Sequence, residues 1–366
     1  MARLTVALLS TARPNVMGSM GVYGNLVRSA LESHAPDVEL IPVDLGVPVP
    51  PAVGVRGNRL GQLGEIAKAR LRCGRVHAQV YHLLDGSFGF MVTGIPLKRT
   101  LVTVHDLIPA LQARGQFPAP RPGWAARRLI ASSLRVVARA GAVCAVSQAS
   151  ASDVATLTGR QVDAVIPLSL RDFPVVDASR PVREAAPPFL LHVGNNGFYK
   201  NRLGVACVFA KLARARPTLG LVFAGGAPDE ALLMEIAGQG LSDRVKFETN
   251  PDDARLSVLY SEAALLLFPS LYEGFGWPPL EAMHFGCPVV CSDAGSLPEV
   301  TGDAALRCAP NDIAGFAAAA SRILDDQDSA RELVARGYRN LERFSAERMA
   351  SGLIACYERL AAVEVT

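Results

Sequence analysis

The chain has 366 residues, of which 50% are hydrophobic and 19% are charged. This composition is typical of a folded α/β protein and excludes a disordered or low-complexity chain. Because ordinary domains hold about 100–200 residues, the length predicts two domains. The net charge is only +3, and we expect no nucleic-acid partner.

The charge is unevenly distributed along the chain. Residues 1–180 carry 20 Lys and Arg against 11 Asp and Glu, whereas residues 181–366 carry 17 against 23. A basic first half suggests an anionic surface or substrate near it. The short apolar run at residues 4–10 predicts a first strand and not a signal peptide, and no apolar stretch reaches the ~20 residues that span a bilayer. Seven scattered cysteines without zinc-ligand spacing predict reduced thiols in a cytoplasmic protein.

Short apolar runs alternate with longer amphipathic stretches in chain order. The first series is LTVALLS (4–10), VELIPVDL (38–45), VYHLL (80–84), TLVTVHD (100–106), AVCAVS (142–147) and AVIPLS (164–169). The second series is PPFLLHVGN (187–195), LGLVFAGG (219–226), RVKFE (244–248), ALLLFPS (264–270), CPVVCSD (287–293) and AALRCA (304–309). Two such series predict two α/β domains with parallel sheets covered on both faces. We place the first domain at residues 1–180, the second at 181–345 and a final helix at 346–366.

The stretch with the clearest chemical signal is LLLFPSLYEGFGWPPLEAMHFGCPVVCSDAGSLPE (265–299). A buried strand is followed by a loop containing Glu273, and Pro278 then opens a helix carrying Glu281. The free N–H groups and the dipole of a helix N-terminus favour negative oxygens such as those of a sugar diphosphate. A carboxylate accepts hydrogen bonds from vicinal hydroxyls, so each glutamate suits a sugar ring. From these residues alone, a surface glutamate beside an ordinary turn is an equally good interpretation.

The same stretch resembles the donor-site signature of glycosyltransferase family 4, in which two glutamates separated by seven residues lie within EGFGWPPLEAM and precede SLPEVTGDAAL. The resemblance implies the GT-B fold, with two Rossmann-like domains whose parallel sheets face each other across a cleft. It also implies a retaining enzyme that uses a nucleotide sugar. Glu273 would face the transferred sugar, Glu281 the ribose, and the backbone of the Gly274, Phe275 and Gly276 segment would lie near the sugar.

A second segment, HVGNNGFYKN (192–201), resembles the diphosphate-binding loop of that family. The resemblance assigns Gly194, Asn195, Lys200 and Asn201 to the donor site. A lysine there offsets the charge that develops on the leaving phosphate. The chain departs from the pattern because Tyr199 replaces an arginine and Asn195 stands where others carry a basic residue. Arg202, which lies one position past the motif, is a candidate replacement for the missing basic residue.

Three segments of the first half complete the resemblance. TVHDLIPAL (103–111) is similar to the TxHD-L-P segment of the family, in which His105 would bind a sugar or acceptor hydroxyl. Asp106 would bind the acceptor or only cap the following turn, and His82 either lines the acceptor site or lies in the core. GSMGVYGNL (18–26) resembles the glycine-rich segment that faces the donor phosphates, which assigns Gly21 to the donor site and leaves Val22 where many members have arginine.

The resemblance therefore implies retaining transfer of a hexose, with mannose favoured, in polysaccharide or glycoconjugate biosynthesis. The donor would be a GDP- or UDP-hexose and the acceptor a saccharide or a lipid-linked saccharide. Glu273, His105 and Lys200 are the catalytic candidates. We expect no cofactor and no metal. The acidic triplet Asp326-Gln327-Asp328 has the form of a metal-binding DxD motif, but it lies in a polar turn far from any glycine loop. A catalytically impaired GT-B protein that binds sugar nucleotides and a GT-B epimerase remain as alternatives.

Residues 124–140, WAARRLIASSLRVVARA, predict a helix with an apolar arc opposite a basic ridge. The ridge consists of Arg127, Arg128, Arg135 and Arg139. We expect the apolar arc, which includes Leu129, to pack on the first sheet. The ridge is either an ordinary solvated face or a peripheral contact with anionic lipid on the cytoplasmic face of the inner membrane.

Overall fold

The structure is a computed structural model that describes residues 3–11, 19–46, 59–92, 94–174 and 187–363. The chain divides into an N-terminal unit, Met1–Arg171 together with Phe344–Thr366, and a C-terminal unit, Asp172–Arg343. The boundary predicted between residues 180 and 181 lies outside the described residues.

The strands and helices are numbered in chain order. The strands are β1 (Leu4–Ser10), β2 (Val38–Asp44), β3 (Val80–Leu83), β4 (Thr100–Val104), β5 (Ala142–Ala145), β6 (Ala164–Val165), β7 (Phe189–Gly194), β8 (Gly220–Gly225), β9 (Val245–Thr249), β10 (Leu265–Phe268), β11 (Val289–Ser292) and β12 (Leu306–Cys308). The helices are α1 (Ser19–His34), α2 (Arg59–Gly74), α3 (Ile108–Ala113), α4 (Trp124–Arg139), α5 (Gln148–Thr158), α6 (Arg202–Ala213), α7 (Glu230–Gly238), α8 (Asp253–Glu262), α9 (Trp277–His284), α10 (Leu297–Thr301), α11 (Ile313–Asp325), α12 (Gln327–Leu341) and α13 (Ala346–Ala361).

The N-terminal unit contains a parallel sheet of six strands in the order β2-β1-β3-β4-β5-β6. Strands β3, β4 and β5 are buried along their whole length, as apolar strands covered on both faces must be. The final helix α13 packs against α1 in this unit. Each strand falls within an apolar run of the first series, so the predicted parallel α/β architecture is confirmed for this unit.

The C-terminal unit contains a second parallel sheet of six strands, ordered β12-β11-β10-β7-β8-β9. Strand β7 pairs with β8 on one side and with β10 on the other. The strand order reverses between β10 and β7, because β7 leads on to β8 on one side and β10 leads on to β11 on the other. Open parallel sheets bind their ligands at such a reversal, outside the carboxyl ends of the strands. The topology therefore directs attention to the loops that follow β7 and β10.

The core of the C-terminal unit holds those strand ends in place. Phe209 on α6, Phe223 on β8 and Phe316 on α11 are at most 1% exposed and belong to one continuous apolar cluster. Burying one such side chain stabilises the fold by about 1.5–3 kcal/mol. Because the core is tightly packed, the loops at the strand ends start from fixed positions.

Helix α4 differs in part from the prediction. Its Ser133 and Val137 are buried, and the Ser133 hydroxyl donates a hydrogen bond to the carbonyl of Ser87 (2.8 Å). Leu129 was expected to pack on the sheet but is 41% exposed, and Trp124 is 67% exposed. The first turns of α4 therefore project from the unit. Within the described part of the chain, every helix is too short or too polar to span a lipid bilayer.

Candidate functional site

The loops after β7 and β10 are joined by hydrogen bonds from the backbone and from one asparagine. The N–H of Leu271 donates to the carbonyl oxygen of Tyr199 (2.7 Å). The Asn201 side-chain amide donates to the carbonyl oxygen of Pro269 (2.9 Å) and its oxygen accepts from the N–H of Gly204 (3.2 Å). Asn201, a predicted donor-site residue, thus fixes the two loops to each other and caps α6.

Lys200 and Glu273 form an ion pair where these loops meet. The Lys200 Nζ atom lies 2.8 Å from Oε1 and 3.0 Å from Oε2 of Glu273. The two side chains are only 12% and 8% exposed, and the ammonium group lies 5.2 Å from the centre of the Phe268 ring. Charges this buried require a partner, because removing one member strands the other in a poorly solvated site. The structure therefore brings together two predicted catalytic residues that lie 73 positions apart.

The loop that carries Glu273 is clasped from outside by the segment before α10. The Ser296 N–H and hydroxyl donate to the Glu273 carbonyl oxygen at 3.0 and 3.1 Å, and the hydroxyl also lies 2.6 Å from the Phe275 carbonyl oxygen. Gly295 has a φ of +58°, and a Cβ atom on it would lie 2.4 Å from the Glu273 carbonyl oxygen. The approach is so close that only glycine fits there.

Glu281 lies on α9 and is 4% exposed. Gly276, with a φ of +97°, turns the chain into α9, whose first turn contains Pro278. One carboxylate oxygen of Glu281, Oε2, accepts a hydrogen bond from the Tyr260 hydroxyl at 2.7 Å. Glu281 is therefore a buried, hydrogen-bonded carboxylate. This placement disagrees with the alternative interpretation of Glu281 as a surface glutamate beside an ordinary turn.

The loop after β7 carries Asn195 and Tyr199 at the positions where the family pattern has a second basic residue. Asn195 is exposed, and its side-chain oxygen accepts from the N–H of Gly197 (2.9 Å). Arg202 is 8% exposed, and its Nη1 atom donates to the carbonyl oxygen of Gly226 (3.1 Å) and to Asn196. Its Nε and Nη2 atoms are buried without a partner among the described residues. Arg202 thus joins the loops after β7 and β8.

Gly194 ends β7 beneath Lys200. A Cβ atom on Gly194 would lie 3.3 Å from Cγ and Cδ of Lys200 and 3.3 Å from Nε2 of His192. His192 is fully buried, and burial lowers its pKa to about 3, so the ring is neutral. A larger residue at position 194 would displace the Lys200 side chain, which is the structural reason for a glycine there.

His105 follows β4 in the N-terminal unit. Its Nε2–H donates to the carbonyl oxygen of Leu84 (2.9 Å), and the ring packs edge-on against Tyr23 at 4.4 Å between centroids. Burial lowers the pKa of His105 to about 4, so the ring is neutral at pH 7. Since Nε2 carries the proton, Nδ1 is the basic nitrogen and is suited to accept a hydrogen bond from a hydroxyl.

The other predicted residues of this unit have local roles. Asp106 Oδ1 accepts from the N–H of Ile108 (3.0 Å), which is the turn-capping alternative. His82 is fully buried, and its ring nitrogens lie 2.7 Å from the hydroxyls of Tyr357 and Thr103. This placement favours the core alternative, and we propose no acceptor contact for His82. Gly21 lies in the first turn of α1 and is half-buried.

Several residues of the candidate site carried no assignment from the sequence. Tyr260 gave no signal, because a tyrosine in an amphipathic helix is usually a core residue. Ser296 begins the quoted SLPEVTGDAAL segment and Gly295 directly precedes it, which could have drawn attention to both. Arg202 was considered only as a source of charge, whereas its guanidinium connects two loops.

No group of three or more possible metal ligands occurs in the ranges that the structure describes. Asp326 of the acidic triplet caps α12, and its carboxylate accepts hydrogen bonds from the N–H groups of Asp328 (3.0 Å) and Ser329 (3.1 Å). The triplet therefore serves a helix terminus.

The sequence model of the family described as glycosyl transferases group 1 matches residues 177–340. This range holds Lys200, Glu273 and Glu281. The matched range covers most of the C-terminal unit. The match does not distinguish family 4, which stays a prediction.

Curated relatives of this chain include mannosyltransferases. It is 36% identical over 176 residues to O-antigen chain mannosyltransferase B of Escherichia coli, covering 47% of this chain and 46% of that protein. It is 30% identical over 277 residues to serotype-specific mannosyltransferase WbdA of Escherichia coli, covering 72% of this chain and 34% of that protein. The chain thus spans less than half the length of these relatives.

Solved structures resemble the whole chain. Sucrose-phosphate synthase from Thermosynechococcus elongatus superposes with a TM-score of 0.77 at 22% identity, covering 98% of this chain and 100% of that one. Anabaena Alr3699/HepE in complex with UDP and glucose gives a TM-score of 0.68 at 19% identity, again covering 98% and 100%. At such identities the likeness concerns the fold alone. The chain has the predicted GT-B fold, with one parallel sheet of six strands in each unit.

We predict that Gly295→Ala displaces the Glu273 loop of the C-terminal unit. A left-handed backbone conformation costs a non-glycine residue about 1–2 kcal/mol, and overpacking adds about 1–3 kcal/mol. Gly240→Ala is the matched control, because Gly240 has a φ of +67° and nothing within 4 Å of its Cβ position. Urea unfolding should show a larger loss in the free energy of unfolding for Gly295→Ala than for Gly240→Ala. Equal losses of stability for the two variants would contradict the inference that the close approach of Gly295 holds the Glu273 loop in place.

Proposed function

We propose that this protein is a retaining glycosyltransferase that transfers a hexose, with mannose favoured, from a nucleotide diphosphate sugar to an acceptor. The acceptor is a saccharide or a lipid-linked saccharide in polysaccharide or glycoconjugate biosynthesis. The observation that carries the proposal is the contact between Lys200 and Glu273 at the strand reversal of the unit that the group 1 family model matches. The similarity to mannosyltransferases that are 30% and 36% identical supports mannose as the sugar.

The donor would occupy the carboxyl edge of the C-terminal sheet. Glu273 would accept hydrogen bonds from the hexose hydroxyls, and Glu281 from the ribose hydroxyls. The backbone at Gly274, Phe275 and Gly276 would lie against the sugar, with the first N–H groups of α9 directed at anionic oxygens. The loop with Gly194, Asn195 and Asn201 would hold the diphosphate.

The chemistry would proceed on the face from which the diphosphate departs. The oxygen of the acceptor hydroxyl forms the new bond to the anomeric carbon as the bond from that carbon to the diphosphate oxygen breaks. The hydroxyl proton passes to the departing phosphate oxygen, and the products are a glycoside and a nucleoside diphosphate. Lys200 would offset the charge that grows on the leaving group, so its contribution increases in the transition state.

The free protein holds Lys200 and Glu273 in mutual contact, and donor binding would exchange that contact for two new ones. The diphosphate would pair with the Lys200 ammonium group, and the sugar hydroxyls would donate hydrogen bonds to the Glu273 carboxylate. A ligand that carries both groups can satisfy both charges at once, whereas phosphate alone would leave Glu273 without its cation. His105, neutral at pH 7, would accept a hydrogen bond at Nδ1 from a sugar or acceptor hydroxyl.

A catalytically impaired protein that only binds sugar nucleotides is the second candidate function. It is favoured by the loop after β7, where Tyr199 and Asn195 supply no positive charge and two Arg202 nitrogens are buried. The two functions differ in turnover. A thermal-shift screen of GDP-, UDP- and dTDP-sugars would identify the donor, and hydrolysis or transfer of that donor would separate an enzyme from a binding protein.

We predict that Glu273→Gln loses most transfer activity while keeping the fold, because a neutral amide interacts less well with a sugar ring that gains positive charge. Lys200→Met should cost roughly 2–4 kcal/mol of transition-state stabilisation, the scale for one oriented charge donor, and so lower kcat about 30- to 900-fold. Activity is measured as release of nucleoside diphosphate at saturating donor. Glu262→Gln, an exposed glutamate of the same unit, is the control for charge loss.

The double variant separates catalysis from stability. Lys200→Met alone leaves a buried carboxylate without its cation, which should lower the free energy of unfolding. Adding Glu273→Gln removes that unpaired charge, so stability should recover whereas activity stays low. Near-normal turnover of Glu273→Gln with saturating donor contradicts its assignment. Recovery of both activity and stability in the double variant would show that the ion pair contributes only to stability.

We also propose that transfer requires neither a metal ion nor another cofactor. The support is that Lys200 stands where a leaving-group charge would need a cation, and that the acidic triplet is engaged in capping α12. We expect turnover to be unchanged after treatment with EDTA. Loss of activity with the chelator and its return with manganese or magnesium would refute this proposal.

We further propose that the protein is cytoplasmic and binds peripherally to the cytoplasmic face of the inner membrane through α4. The ridge arginines 127, 128, 135 and 139 are all exposed. Trp124, 67% exposed, lies beside the Arg128 guanidinium at 5.0 Å from its ring centre. Basic side chains with a neighbouring exposed aromatic ring suit the headgroup region of an anionic bilayer.

We predict that replacing the four ridge arginines by serine abolishes co-sedimentation with vesicles that contain phosphatidylglycerol at low salt. Each arginine near such a surface is worth about 1 kcal/mol, so the attachment is weak and salt-sensitive. The matched control replaces four exposed arginines elsewhere, Arg28, Arg75, Arg214 and Arg348, by serine. Unchanged binding of the ridge variant, or equal loss in the control, would exclude the ridge.

A further inference from the structure

We infer that Tyr260 is a positioning residue that orients the Glu281 carboxylate for the ribose of the nucleotide donor. The inference rests on the proposed function and extends it to a residue on a different helix. Tyr260 lies on α8 and Glu281 on α9, 21 positions further along the chain. The bond between them is the geometric observation that carries the inference.

Both side chains are deeply buried. Tyr260 is 0% exposed and Glu281 is 4% exposed. The Tyr260 hydroxyl donates to Oε2 of Glu281 at 2.7 Å, the length of a strong bond to a charged acceptor. The Tyr260 ring stacks on the Phe285 ring, with 5.9 Å between centroids and 6° between planes. The hydroxyl is thus aimed by a ring whose own orientation is fixed.

The orientation of a carboxylate matters for recognition of a vicinal diol. Two adjacent hydroxyls present their protons in a fixed relation, and the carboxylate must hold its plane accordingly to accept both. A terminal carboxylate rotates about a broad torsional minimum, so it needs a second group to define its plane. The Tyr260 hydroxyl supplies that constraint before the ligand arrives, and a pre-organised group binds more tightly because less freedom is lost.

A purely structural role for Tyr260 makes a different prediction. A core tyrosine would affect the stability of the fold and would weaken every ligand of the unit to the same extent. A positioning residue affects the ligand that carries the ribose hydroxyls and spares the one that lacks them. The ribose hydroxyls of the ligand therefore distinguish the two roles.

The experiment measures nucleotide binding, which requires no transfer. GDP and UDP are titrated into the wild-type protein by isothermal titration calorimetry, and the tighter one is compared with its 2′,3′-dideoxy analogue. Tyr260→Phe removes the hydroxyl and keeps the ring. We expect affinity for the natural nucleotide to fall about five- to tenfold, the scale of the net contribution of one hydrogen bond, and affinity for the dideoxy analogue to fall less than about twofold.

Two further variants complete the design. Tyr357→Phe is the matched control, because Tyr357 is also fully buried and its hydroxyl lies 2.7 Å from His82 in the N-terminal unit. It should leave the preference for ribose unchanged. Phe285→Leu removes the stacking ring from a partly exposed position, so it tests the inference even if Tyr260→Phe does not fold. We expect a smaller loss that is again restricted to the natural nucleotide.

The outcomes are separable. If folded Tyr260→Phe keeps the full preference for the natural nucleotide over the dideoxy analogue, the inference is wrong. This includes the case in which both affinities fall equally, which is the result expected of a purely structural role. Where Tyr260→Phe does not fold, an unchanged ribose preference in Phe285→Leu overturns it. If the wild-type protein binds neither GDP nor UDP, the proposed function fails and this inference fails with it.

Discussion

The candidate donor site depends on one constraint, the parallel pairing of β7 with β10 at the point where the strand order reverses. In a parallel sheet every strand ends at the same edge, so the loops that leave these two strands are neighbours although long stretches of chain separate them. That adjacency places Lys200 against Glu273. The hydrogen bonds of Asn201 and of the Tyr199 backbone then fix the loops to each other.

The ion pair lies in a setting that makes both of its charges consequential. With side chains that are 12% and 8% exposed, neither group is fully solvated, and each depends on the other in the free protein. Gly295 and Ser296 hold the backbone of the Glu273 loop, while Tyr260 holds the side chain of Glu281. The acidic residues are therefore oriented by contacts from three separate segments, which is the arrangement that specific recognition requires.

The N-terminal unit shows how position along neighbouring strands divides the roles of similar residues. His82 lies within β3 and is enclosed by hydroxyls, whereas His105 follows the end of β4. Burial lowers the pKa of both rings, to about 3 and about 4, so both are neutral at pH 7. Only the residue beyond the strand end is placed where ligands bind in open α/β sheets.

The sequence by itself determined the strands, their parallel arrangement and the loops that carry the site, because these follow from apolar periodicity and from local glycine, proline and glutamate patterns. It also indicated Lys200, Glu273 and Glu281 through a local motif. The tertiary structure alone decided what each side chain touches. The contact between Tyr260 and Glu281, the burial of His82 and of Arg202, and the exposure of Leu129 depend on how distant segments pack. Local periodicity contains no information about those distances, so packing had to decide them.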